Sequence, residues 1–198
     1  MLMMLEELRK QIMSCDKCKN YFKPDPWLFP SECDGCGVKG FLGDGQTEYG
    51  RVMFIAYRPS TRRLDKSEIG KKRIELFYKL LRKFGLSNAH LTDLTKCRRS
   101  GKFISRVEIK NCLPYLKEEV KIVNPDYLIV VGLDTYHILS FVLELLNLDF
   151  PEERISKIRH YAFRRRKSES LEEAYQRFEN TYEYDFHSLA NFMRRIRT

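Results

Sequence analysis

The sequence predicts an α/β fold, a three-layer α/β/α sandwich with a central, mostly parallel four-stranded sheet. Three observations carry this. Strand-like and helix-like segments alternate along most of the chain, the order that builds parallel sheets. The run Asp126 to Gly132 is apolar on both faces, as a strand covered on both sides must be. Between such runs, apolar residues return at steps of three and four, as in helices that bury one face.

The elements follow in order. Leu2, Leu5, Leu8, Ile12 and Met13 fall near helical spacing, so residues 2–13 read as an amphipathic helix. From Cys15 to Gly50 the chain is rich in Pro, Gly and Asp and reads as loop, with metal ligation the natural organiser. Arg51 to Tyr57 is a buried strand ended by Pro59. Ile74, Phe77, Leu81 and Phe84 mark a helix that stops at Gly85. Ala89 to Thr95 is a second short strand. Ser105-x-x-Glu108 is a capping box for the next helix. That helix turns Ile109, Cys112 or Leu113, Leu116, Val120 and Val123 inward, and Pro114 is expected to kink or restart it. After the strand 126–132 come a helix from Thr135 to Leu146, a fourth strand from Arg154 to Phe163, and two helices near 171–180 and 186–196. Ligands of such sheets bind at the carboxyl ends of the strands. Residues 57–61, 93–99, 132–135 and 160–166 are therefore expected along one rim.

Charge narrows the class of partner. Lys and Arg number 36 against 27 Asp and Glu, a net charge of +9. The excess is clustered at Arg62-Arg63, Lys71-Lys72-Arg73, Arg98-Arg99, Arg164 to Lys167 and Arg194-Arg195, and such clusters neutralise phosphates. A solvated surface is the plain alternative for any one cluster. The longest apolar stretch, Tyr127 to Val131, is far short of the roughly 20 residues that span a bilayer. Met1 to Met13 carries Glu6, Glu7, Arg9 and Lys10 and does not resemble a secretion signal. The expectation is a cytoplasmic monomer that binds DNA and no membrane.

Six cysteines in that compartment favour metal ligation over disulfides. Cys15-x-x-Cys18, with the distant Cys97 and Cys112, suggests a buried iron–sulfur or zinc staple. Cys33-x-x-Cys36 offers a rival: with Cys15 and Cys18 it has the spacing of a zinc ribbon, leaving Cys97 and Cys112 as buried thiols.

The order of motifs resembles the uracil-DNA glycosylase superfamily, in particular its iron–sulfur branch. Gly43-Asp44-Gly45 precedes the strand Val52-Met53-Phe54-Ile55, as a Gly-x-Gly turn does in that family. Leu91-Thr92-Asp93-Leu94-Thr95-Lys96-Cys97-Arg98 is similar to its Ile-Thr-Asn-x-x-Lys-Cys-Arg. Cys112-Leu113-Pro114-Tyr115-Leu116 is similar to its Cys-x-Pro-Tyr-Leu, and Pro125 to Gly132 to its Pro-x-x-Ile-x-x-Leu-Gly. The resemblance covers roughly residues 2–140. It implies a single glycosylase-like domain over 1–198, with a Cys-bearing insertion at 19–45 and C-terminal helices from 167. It implies a 4Fe-4S cluster on Cys15, Cys18, Cys97 and Cys112, the alternative being zinc with Cys33 and Cys36. The implied activity is excision of a flipped uracil or other damaged base from DNA.

The resemblance breaks at three active-site motifs. Where the family has Gly-Glu-Ala-Pro-Gly, this chain reads Ala56-Tyr57-Arg58-Pro59-Ser60. The carboxylate is gone; Tyr57 would stack on an extruded base and Arg58 would grip a phosphate or base oxygen, with Pro59 and Ser60 completing the pocket. The family Asn that reads the pyrimidine edge is Asp93 here. An ionised carboxylate only accepts hydrogen bonds, so Asp93 suits a base with an exocyclic amine, or acts as general base toward water. His160 stands for the family's His-Pro histidine, without the proline, and Arg164-Arg165-Arg166 falls where the family inserts a loop into DNA. Arg98 and Arg99 are further DNA-binding candidates. His90 and His137 fall on apolar patterns and read as core. Two rival functions remain beside the glycosylase: a catalytically inactive DNA-binding relative, and a zinc-ribbon nucleic-acid-binding adaptor.

Overall fold

The computed structural model describes residues 1–18, 43–58, 68–97, 103–145, 150–160 and 165–197. Pro59, Ser60, Cys33, Cys36, Arg98, Arg99 and Arg164 lie outside them. The elements are α1 (Leu2–Met13), β1 (Gln46–Thr47), β2 (Gly50–Ala56), α2 (Glu68–Lys83), β3 (His90–Asp93), α3 (Arg106–Val123), β4 (Tyr127–Val131), α4 (Leu133–Leu145), a 3-10 turn Glu152–Arg154, β5 (Ile155–Ile158) and α5 (Leu171–Arg197). The predicted α/β sandwich is what forms.

Strand β2 sits inside the sheet, parallel to β3 on one side and to β4 on the other, and β5 extends the sheet parallel to β4. The short β1 folds back antiparallel onto the start of β2. Alternation across the pleat sorts the core into two layers. Val52 and Phe54 face α2 and α5, where Phe77 meets Phe54 edge-on and Phe186 packs on both Phe77 and Phe84. Met53, Ile55, Leu128 and Val130 face the other way, against Leu116, Val120 and Val123 of α3 and Leu139, Val142 and Leu143 of α4.

Gly85 ends α2 because it adopts φ +66°, letting Leu86 N–H reach the Leu81 carbonyl (2.8 Å) and Gly85 N–H the Arg82 carbonyl. The Ser105 box forms in full: Ser105 Oγ accepts from Glu108 N–H, and the Glu108 carboxylate accepts from Ser105 N–H.

Four sequence expectations are corrected. Helix α3 runs unbroken through Pro114: the ring removes one N–H, while Cys112, Leu116 and Val120 on either side stay buried and hold the helix to the sheet. The C-terminal region is one helix of 27 residues rather than two, because its apolar stripe continues through Tyr182 and Phe186 to Met193. The fourth strand ends at Ile158, so His160 lies beyond it and is exposed. His90 is core as expected, but His137 is exposed, on the outer side of α4.

Helices α2 and α5 run parallel and in register. Lys72 pairs with Glu172 at 2.9 Å, and Lys79 with Glu179 and Lys83 with Glu183 repeat the pairing down the seam. The start of α5 therefore lies level with the start of α2.

Candidate active site and thiol centre

The parallel register lines up the strand ends. Asp93 is paired with Ala56, and Val131 with Ile158; Ile55 with Val130 sets Val131 level with Ala56. One row thus runs Asp93, Ala56, Val131, Ile158, about 14 Å long at the usual spacing between strands. Tyr57 and Arg58 leave the row from β2, Gly132 from β4 and His160 from β5. Asp93 and His160 stand at opposite ends, with the β2 and β4 termini between them.

Tyr57 is half-buried, and its phenol oxygen accepts from Ile104 N–H at 3.0 Å, tying β2 to the segment before α3. The Arg58 guanidinium lies 5.7 Å from the Tyr57 ring centroid. Its Nη1 is buried and, among the described residues, has no hydrogen-bond partner. A guanidinium N–H left this way at a strand terminus is a ready donor for an anionic or carbonyl oxygen.

Gly132 takes φ +94°, and a Cβ there would sit 3.4 Å from the Cβ of His160. The Gly132 N–H also donates to the Ile158 carbonyl at 2.9 Å. Glycine thus lets the β4 exit and the His160 segment close on each other.

Asp93 is 5% exposed, and its turn is fixed from below by a buried network absent from the sequence reading. Lys96 Nζ donates to Glu119 Oε2 (2.6 Å), Thr92 Oγ1 (2.7 Å) and the Asp93 carbonyl (2.8 Å). The Thr92 hydroxyl lies 2.9–3.0 Å from both Glu119 oxygens. Lys96 and Glu119 are each 1% exposed. The sequence held a signal: Glu119 lies seven residues after Cys112, on the same buried helix face, where a carboxylate demands a cation.

The thiols gather on the α3 side. Cys15 and Cys18 follow α1, Cys97 follows the Asp93 turn, and Cys112 lies within α3. Burial pushes the Cys97 thiol up to about 12, and its neighbours Cys112, Cys18 and Cys15 push the same way. Burial raises Cys112 to about 11, against the pull of the Lys96 N–H and charge. Tyr115 is raised too, by burial first and then by a hydrogen bond with Cys15. Donors point at two of the sulfurs: Lys96 N–H at Cys112 Sγ (3.4 Å) and Asn111 Nδ2 at Cys18 Sγ (3.2 Å). Four thiols within one another's field, two met by N–H donors, fit the chemistry of a thiolate-held metal centre. Among the described residues, no group of three or more His, Cys, Asp or Glu side chains is set to hold a single metal ion.

Arg165 and Arg166 are exposed ahead of α5. Their turn is fixed by Glu169, which accepts from Arg166 N–H at 2.9 Å and is gripped by Arg177 at 2.7 and 2.9 Å. The Arg177 guanidinium, and then the Arg166 amide, hold the Glu169 carboxyl down to about 2.

The family model of the uracil DNA glycosylase superfamily matches residues 42–183. The chain belongs to that superfamily. The match takes in the whole rim, from Tyr57 and Asp93 through Gly132 to His160, and continues through Arg165 and Arg166 into α5. It includes Cys97 and Cys112, while α1, Cys15 and Cys18 precede it. Superfamily membership brings a glycosylase-like function of the DNA-repair kind. No curated protein matches the chain in sequence. No helix among the described residues is long and apolar enough to cross a membrane.

Proposed function

We propose that the protein is a DNA glycosylase that binds DNA, draws an altered base into the rim between Asp93 and His160, and hydrolyses its N-glycosidic bond. The buried Arg58 Nη1 at the end of β2, which has no hydrogen-bond partner among the described residues, is the observation that carries this reading. In the reaction, water adds to C1′ of the sugar and the base leaves with the electron pair of the broken bond. That demands stabilisation of a cationic sugar and of an anionic base. Asp93 is the carboxylate for the sugar or the attacking water. Arg58 and His160 supply the N–H groups for the departing base oxygen, and Tyr57 contributes its ring as a stacking surface. Arg165 and Arg166, with Arg98, Arg99 and Arg164, neutralise the DNA backbone.

Cys15, Cys18, Cys97 and Cys112 would hold a 4Fe-4S cluster, which when bound supplies a structural cross-link. The cluster places its own iron and sulfide between the thiolates, so its ligand set is wider than that of one zinc ion. The burial of Cys97 and Cys112, with Cys15 and Cys18 among the groups that raise them, supports this set; Cys33 and Cys36 of the zinc-ribbon alternative lie outside the described residues.

The test is a panel of duplexes, each with one uracil or modified base, scored for alkali-labile strand breaks. Release of at least one base, lost in Arg58→Ala and Asp93→Asn with DNA affinity kept, is the expected result. No release from any duplex, with salt-sensitive binding intact, would overturn it in favour of a catalytically inactive DNA-binding relative. The missing carboxylate at 56–60 favours that second reading.

A further inference from the structure

The chain reaches His160 along an open edge of the sheet. Among the described residues β5 has a neighbouring strand on one side only, β4, where the Gly132 N–H meets the Ile158 carbonyl at 2.9 Å. The next residue, Arg159, lies past the end of β5 and has no strand to pair with. Backbone groups left this way at a sheet edge are open to water or to a competing strand. Here α5 covers them. Asp185 Oδ2 accepts from the Arg159 N–H at 3.0 Å, and the Tyr182 hydroxyl donates to the Arg159 carbonyl at 2.5 Å.

The two side chains that do this stand three residues apart, on one face of α5. Tyr182 is 1% exposed, with its ring 5.8 Å from that of Phe178. The same helix is fastened to α2 through Phe186 and to β4 by the Tyr127 hydroxyl, which donates to the Met193 carbonyl at 3.1 Å. Arg159 is therefore gripped at both backbone groups by a rigid support. One residue on, the His160 imidazole lies beside the β4 exit: a Cβ at Gly132 would sit 3.7 Å from its Cδ2. Asp185 falls just past residues 42–183, so the family match does not itself supply this grip.

We propose that Tyr182 and Asp185 are positioning residues for His160: by holding both backbone groups of Arg159, they keep the imidazole beside Gly132, at the end of the rim where the base departs. The proposal rests on the role given to His160 above. Neither residue acts on the substrate; both act through the backbone that leads into His160. Misplacing a reacting group by about 1 Å costs about 100-fold in rate, so a helix behind the sheet edge contributes to base release without reaching the site.

Two measurements on the full chain test this. The first is NMR relaxation of protein labelled with carbon-13 at the histidine Cε1, the His160 signal being assigned by its loss in His160→Gln. Tyr182→Phe and Asp185→Ala should each release the ring into the flexible range, an order parameter below about 0.6. Asp185→Asn, whose amide oxygen still accepts from the Arg159 N–H, should keep it ordered. The second is single-turnover base release from the same panel of duplexes. Asp185→Ala should slow it about 10- to 100-fold with DNA affinity unchanged, and should add nothing in a His160→Gln background. A His160 ring equally ordered in all variants, or a full further loss in the His160→Gln background, would overturn the proposal. If the unaltered protein releases no base, the glycosylase reading falls, and the ring measurement alone decides whether α5 holds His160.

Discussion

Replacing Lys96 by methionine tests whether the buried network carries the Asp93 turn. The ammonium is 1% exposed and meets three acceptors at 2.6, 2.7 and 2.8 Å. Methionine keeps much of the apolar stem and removes the charge. Glu119, also 1% exposed, then keeps the Thr92 hydroxyl but loses its cation, and the Asp93 carbonyl loses this donor. Breaking a buried pair by removing one partner costs about 3–5 kcal/mol. A lost hydrogen bond at a buried carbonyl costs about 1–3 kcal/mol, and the two terms overlap. We expect a loss of about 4 kcal/mol, a large share of the roughly 5–15 kcal/mol that holds a domain folded. Urea unfolding followed by circular dichroism measures it, the midpoint falling at constant slope. Lys96→Met with Glu119→Leu removes both charges and should recover at least about 2 kcal/mol. A single-variant cost below about 1 kcal/mol, or a double variant as damaged as the sum of the two singles, would refute the reasoning.

Other predictions concern pH, the surface seam and the thiols. Burial lowers the His90 pKa, and its Nδ1 lies 3.1 Å from the Gly43 carbonyl, so the folded protein holds it neutral. A group lowered in the folded state contributes stability that is present above its unfolded pKa and lost as pH falls. Stability should therefore decline as pH drops below about 6.5, and His90→Gln should flatten that decline in urea titrations. The Lys–Glu seam between α2 and α5 is exposed, so Lys72→Ala or Glu172→Ala should each change unfolding free energy by less than about 1 kcal/mol. For the thiols, anaerobically purified protein should contain about four iron and four sulfide per chain. Cys97→Ser should lose the iron and Cys33→Ser should keep it; the reverse, with one zinc per chain, would restore the zinc ribbon.

Much of the framework was legible in the sequence because it depends on local rules. The alternation of periods set the order of strands and helices, and doubly apolar Tyr127–Val131 could only be an inner strand. Ser105 and Glu108 announced a helix start that forms as written. Local rules failed where packing decides. Pro114 argued for a break in α3, yet the buried residues around it hold the helix intact. The gap read between residues 180 and 186 vanishes because Tyr182 and Phe186 are both core residues of one stripe.

The site divides in the same way. The sequence by itself determined which chemical groups are present: six thiols, Asp93 where the family has Asn, and Tyr57-Arg58 where it has a carboxylate. Only the tertiary structure decided which of them meet. Strand register set Asp93, Ala56, Val131 and Ile158 in one row, and glycine at 132 let His160 close against it. Packing of α3 on the sheet brought Glu119 to Lys96 across 23 residues, and left Phe103 outside. Neighbours along the chain follow from backbone propensity, whereas these contacts depend on how layers stack, and a single sequence does not write that down.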